Sequence, residues 1–349
     1  MHIAQVAPLM ESVPPKFYGG TERVVSYLTE ELVHQGHEVT LFASGDSSTA
    51  ARLHPVVERA LRLDPACENV LAYHMLLVEE VHKQAELFDV IHFHTDFLHY
   101  TAFRHNATPL LTTLHGRLDL PDIMALYWEF RELPVISISD NQRRPMPWLN
   151  WQQTIYHGLP IDLLHYNDQP DGYLAFIGRM CPEKRPDLAI QIARKSGIPL
   201  KMAAKVDDAD QEYYTNVILP LLDDTDNDFI GEISESEKSN FLGNALAVLF
   251  PIDWPEPFGL TMIEAMACGT PTIAFTAGSV PEVIDDGITG FIVNDIEGAV
   301  AAVKNIAALD RQAIRTRFEE CFTAERMARD YIAVYEKIQS SKPLTMQVA

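Results

Sequence analysis

The chain has 349 residues, 47% of them hydrophobic, and a formal net charge of -22. That length and apolar content suit two domains with a core each. The acidity excludes nucleic acid as the natural partner, because phosphate contacts need clustered Lys and Arg, and no apolar run reaches the roughly 18–20 residues of a membrane helix.

Residues 2–7 form a short apolar run without the basic start and cleavage site of a signal peptide, and so predict a first buried strand in a soluble, cytoplasmic protein. Residues 21–35 place Val24, Val25, Leu28, Leu32 and Val33 at helical spacing, Gly36 stops that helix, and residues 38–43 give the next strand. Further strands are expected at 90–93, 110–114, 135–139 and 154–156, with helical stretches between. His157-Gly158-Leu159-Pro160 punctuates the chain, and a polar stretch over 165–172 follows it. A second series then has strands at 173–177, 200–203, 228–230, 247–250, 272–275 and 290–293. This rhythm predicts two α/β units with mostly parallel, doubly wound sheets: an N-terminal domain over 1–160, a second domain over 161–323, and a last helix over 324–342. Cys67, Cys181, Cys268 and Cys321 are scattered without a C-x-x-C pair, and read as buried free thiols.

Ligands of open parallel sheets bind beyond the carboxyl ends of the strands, so chemistry belongs in the strand-to-helix loops. Three loops carry it. Phe17-Tyr18-Gly19-Gly20-Thr21-Glu22 pairs glycines with a helix start, which suits an anion but also a plain turn; it is not G-x-G-x-x-G. Gly178-Arg179 and Glu183-Lys184-Arg185 put two cations, Arg179 and Lys184, beside a second helix start. That is either a diphosphate clamp or surface charge pairing with Glu183 or Asp187. Glu256-Pro257-Phe258-Gly259-Leu260-Thr261 leads into a helix carrying Glu264 and ending at Gly269. Two such carboxylates suit vicinal diols, and the amides of Phe258 to Thr261 lie free at the helix start; an acidic cap is the plain alternative. His92, His94 and Asp96 fall at the end of a strand, where His92 and His94 share one face, and read as cleft lining or structure rather than a metal site.

The motifs at 18–23, 178–184 and 256–271 resemble those of the family 4 glycosyltransferases along nearly the whole chain, and the two glutamates flanking seven residues are the most specific. The resemblance implies a GT-B fold, two Rossmann-like domains facing each other across a deep cleft. It implies that Arg179 and Lys184 hold the donor diphosphate, Glu264 the nucleotide ribose, and Glu256 the donor sugar, helped by Phe258, Gly259 and Leu260 amides. Gly19 and Gly20 would approach the phosphates, His115 would lie near the transferred sugar, and the backbone of Ile233 would meet the base. Two departures stand out: Arg185-Pro186 follows the clamp lysine where many relatives have glycine, and Ala203-Ala204-Lys205-Val206 replaces a glycine-containing turn.

The implied reaction is retaining transfer of a hexose-type sugar to an acceptor hydroxyl by front-side attack, with no metal and no cofactor. A UDP-sugar is the favoured donor and a GDP-sugar the second choice. The acceptor is left open among a sugar, a lipid-linked glycan and a small metabolite, and so are a homodimer and a weak peripheral membrane contact. Asn141-Gln142-Arg143-Arg144 fits an acceptor contact or surface charge equally. The rival readings are a nucleotide-sugar 2-epimerase and an inactive nucleotide-sugar-binding protein of the same fold.

Overall fold

The computed structural model describes residues 1–16, 19–222 and 228–340. Phe17 and Tyr18 of the first loop, and positions 341 and 342 of the last helix, lie outside them. The chain divides into two compact units, one of Met1–Gly158 with Ala324–Ala349, the other of Leu159–Thr323.

The first unit holds seven strands: β1 (His2–Val6), β2 (Glu38–Ser44), β3 (Arg52–Val57), β4 (Val90–Phe93), β5 (Leu110–Thr113), β6 (Pro134–Ser137) and β7 (Asn150–Thr154). They pair in the order β3-β2-β1-β4-β5-β6-β7, every pair parallel. The second unit holds β8 (Tyr173–Arg179), β9 (Leu200–Lys205), β10 (Asp228–Gly231), β11 (Ala245–Phe250), β12 (Thr272–Phe275) and β13 (Gly290–Val293). Their order is β10-β9-β8-β11-β12-β13, again parallel throughout. Counted from its own first strand, the second sheet runs 3-2-1-4-5-6 and the first runs the same with a seventh strand added, the doubly wound order with its switch point between strands one and four.

Central strands are buried on both faces, so they read as continuous apolar runs. Ile3, Ala4, Val6, Val90, Ile91 and Phe93 are all fully buried in the first unit. In the second, Leu174, Phe176, Met202, Ala247, Leu249 and Ile273 form one cluster with Ile190 and Ala193 of the helix behind them. Five helices position the candidate site residues: α1 (Gly20–His34), α2 (Pro186–Ser196), α3 (Glu235–Gly243), α4 (Leu260–Ala267) and α5 (Ala324–Ser340). The last belongs to the first unit, where it buries Met327, Ala328, Tyr331, Val334 and Tyr335.

Candidate active site

In the second unit, the charged residues lie at the ends of β8 and β9 and in the loops that follow β8, β9 and β11. Arg179 ends β8, in register with Lys205 at the end of β9. Both reach Asp207, Arg179 at 3.6 Å and Lys205 at 2.7 Å. Lys184 follows in a short helical turn and bonds the Oε2 of Glu256. Trp254 Nε1 donates to the same oxygen at 2.9 Å, and the Lys184 ammonium lies 5.2 Å from the Trp254 ring centre and 5.5 Å from that of Phe250. With its lysine and glutamate side chains only 16% and 10% exposed, this pair escapes the screening that makes surface pairs nearly worthless.

The backbone that carries Glu256 is fixed from behind. Ser279 N donates to the Glu256 carbonyl at 3.0 Å, and Ser279 Oγ donates to the Phe258 carbonyl at 2.6 Å. Gly259 caps α4 with φ of 83°, a left-handed conformation that glycine takes without a Cβ penalty. Phe258 is buried, whereas Leu260 and Thr261 are half-buried in the first turn, where helix amides lack an i-4 carbonyl. Glu264 lies one turn further on, buried, and accepts from Lys238 Nζ at 2.6 Å. Lys238 sits on α3, and Ile233 immediately precedes the Ser234 cap of that helix. Lys238 was not expected as a site residue: 26 positions separate it from its partner, and only the fold brings them together.

In the first unit, Gly19 caps α1; a Cβ there would meet that of Pro15 at 2.8 Å, so the turn has room only for glycine. Gly20 opens the helix and is exposed. His115 lies past β5, its Nε2 2.9 Å from His94 Nδ1. His157 stacks on it, with ring centres 5.4 Å apart. Burial pushes the His115 imidazole down to about 3 and holds His92, His94 and His157 well below the ordinary histidine range. Gln142 clamps the loop bearing His115: its Nε2 donates to the carbonyls of Leu114 and Gly116, each at 2.8 Å. Arg143 donates to Ser137 Oγ at 2.6 Å. The segment read as acceptor contact or surface charge thus makes these internal bonds. Among the described residues, no group of three or more His, Cys, Asp or Glu could hold a metal ion, and no helix is long and apolar enough to cross a membrane.

Two parallel α/β units with one strand order define a Rossmann-like pair, and comparison with known proteins places it. The family model described as Glycosyltransferase Family 4 matches residues 18–151, and that described as Glycosyl transferases group 1 matches residues 165–320. The chain belongs to the family 4 glycosyltransferases and is a glycosyltransferase of GT-B fold. A phosphatidyl-myo-inositol mannosyltransferase of Mycobacterium leprae is 24% identical, covering 91% of this chain and 90% of its own. Among solved structures, the sucrose-phosphate synthase of Thermosynechococcus elongatus aligns with TM-score 0.78 and 19% identity over 98% of this chain and 100% of its own. HepE of Anabaena, solved with UDP and glucose, aligns with TM-score 0.73 and 17% identity over 97% of this chain and 100% of its own.

Proposed function

We propose that the chain is a retaining, metal-independent hexosyltransferase that takes a UDP-sugar as donor. One observation carries the reading: Lys184 and Glu256, from the loops after β8 and β11, pair at the switch point of the second sheet, where doubly wound proteins bind nucleotides. The Lys184–Glu256 pair offers a cation for a phosphate oxygen beside a carboxylate for sugar hydroxyls. As the bond from sugar to diphosphate breaks, negative charge grows on the leaving group, and fixed cations at Arg179 and Lys184 stabilise it. An acceptor hydroxyl entering the same face can pass its proton to the departing phosphate oxygen, so the chemistry asks for positioning rather than a protein nucleophile. Glu264 takes the ribose, Gly19 and Gly20 give close approach to the phosphates, the Ile233 backbone meets the base, and His115 meets the transferred sugar. The UDP choice is supported by HepE, a protein of the same fold solved with UDP and glucose. The mannosyltransferase relatives support a second reading, transfer of a mannosyl group.

Thermal shift against UDP-, GDP-, ADP- and TDP-sugars tests it, because a ligand that binds only the native state raises the melting temperature. One nucleotide class should raise it, and Arg179→Ala or Glu264→Ala should abolish the rise. A full rise retained in both variants would show the site to be elsewhere.

A further inference from the structure

Beneath His115 runs a chain of buried hydrogen bonds that donor binding does not use. His94 Nδ1 contacts His115 Nε2 at 2.9 Å, and His94 Nε2 contacts Gln5 Oε1 at 2.8 Å. Gln5 Nε2 donates to the Tyr335 hydroxyl at 3.1 Å. That hydroxyl lies 2.7 Å from His92 Nδ1, His92 Nε2 lies 2.8 Å from Thr113 Oγ1, and Thr113 Oγ1 lies 2.9 Å from the Tyr331 hydroxyl. Gln5, His92 and Thr113 are fully buried, and they come from three neighbouring strands, while the tyrosines come from α5.

We propose that Gln5, acting through His94, is a positioning residue that fixes His115 in the tautomer protonated on Nε2, leaving its Nδ1 as a hydrogen-bond acceptor. Counting protons along the chain fixes the direction of each bond. An amide oxygen only accepts, so His94 donates from Nε2. A neutral imidazole has one N–H, so His94 Nδ1 must accept, and the proton in the His94–His115 contact belongs to His115. The same rule then strips the proton from His115 Nδ1. The far half agrees: Gln5 donates to Tyr335, which donates to His92 Nδ1, which leaves His92 Nε2 to donate to Thr113. Every link points one way.

The rings stay neutral because burial penalises their charged forms. His94 lies against the rings of His92 and His115, and beyond its burial His92, His115 and His157 each oppose a second proton. Arg326 also opposes charge on His157, and its Nη2 donates to the Tyr156 and His157 carbonyls at 2.6 and 3.1 Å. An acceptor at Nδ1 suits a sugar hydroxyl, which can donate; an imidazolium would offer only donors. This function rests on the reading that His115 meets the transferred sugar, but the tautomer does not.

The test is nitrogen-15 NMR of histidine-labelled full-length protein, with the His115 signals assigned by their loss in His115→Gln. Wild type should show His115 protonated on Nε2 and bare on Nδ1 near neutral pH. Gln5→Glu puts a carboxylate against His94 and lets it hold two protons. His94 then donates from Nδ1, and the His115 proton is forced onto its own Nδ1. Raising the pH until His94 loses its extra proton should restore the wild-type signature. With UDP-glucose as probe, the rate of UDP release by Gln5→Glu should fall about tenfold near neutrality, with KM moving less than about threefold, and recover at high pH. Wild-type His115 protonated on Nδ1 would overturn the proposal, since a reversed Gln5 amide reverses every link. An unchanged tautomer in folded Gln5→Glu would overturn it too. If that variant does not fold, the wild-type spectrum still decides. If wild type releases no UDP from UDP-glucose, the donor assignment fails while the tautomer remains measurable.

Discussion

A methyl group on Gly278 would sit 2.3 Å from both the amide nitrogen and the carbonyl oxygen of Glu256, and φ at Gly278 is 53°. The neighbour in that contact is backbone, which has nowhere to rotate, so relief must come from moving Glu256 itself. Gly278→Ala is therefore expected to damage donor binding without touching a charged side chain. The variant should stay folded, lose about 1–3 kcal/mol of stability, and lose most of the thermal shift that a nucleotide sugar gives wild type. A full shift with lowered stability would mean that the Gly278 contact is only structural. Lys184, Trp254 and Ser279 act on the same glutamate from other sides. The motif glutamate is thus held at four points, and only one of them, Lys184, was marked in the sequence as a site residue.

Elements were legible where they are apolar. The central strands β1, β4, β8 and β11 and the helix α1 fall within a residue or two of their expected places, because their periodicity is strong. The edges of the first sheet were not, since β3 went unread and β7 covers Asn150–Thr154 rather than 154–156, whereas β10 and β13 at the edges of the second lie where expected. Both β3 and β7 carry polar, half-exposed residues on one side of a sheet, where period-two patterning is weak. The site divides in the same way. Motif residues within one loop were readable, but pairs such as Lys238–Glu264 exist only after α3 and α4 pack. The start of α2 holds a further case. Arg185, a non-glycine residue in the left-handed region, takes φ of 52° and ψ of 50°. Its guanidinium compensates, bonding Asp187 at 2.9 and 3.0 Å and Asp253 at 3.2 Å. Arg185→Ala keeps the backbone cost and loses the bonds, whereas Arg185→Gly loses the bonds and the cost together. Denaturant melts should therefore find Arg185→Gly more stable than Arg185→Ala by about 1 kcal/mol. Equal stabilities would show that no strain is stored there.

Across the whole molecule, titratable groups are divided unevenly. Twelve of the 13 histidines fall in the first unit, and His165 alone in the second. In the first unit His92, His94, His99, His115 and His157 are held neutral by burial, their ionisation depressed below the usual 6.5. A depressed histidine is bare in the fold while the unfolded chain takes up its proton, so stability is lost as pH falls below 6.5. At about pH 5.5 each such group costs on the order of 1 kcal/mol, so the set together costs several. Glu22 works in the opposite sense. Burial, with help from the charge of Glu11, raises its carboxyl from 4.5 to about 7. Its contribution is complete below 4.5 and is lost as pH rises through 7, so acidification to about pH 5.5 returns about 2 kcal/mol. The histidines win, and the first unit should loosen in mild acid while the second, with a single histidine, holds. Hydrogen exchange, corrected for its intrinsic pH dependence, should show amides of β1, β4 and β5 losing protection between about pH 7.5 and 5.5 well before those of β8 and β11. Equal loss in both units, or greater protection of β4 in acid, would mean that the buried histidines are not what sets the acid limit.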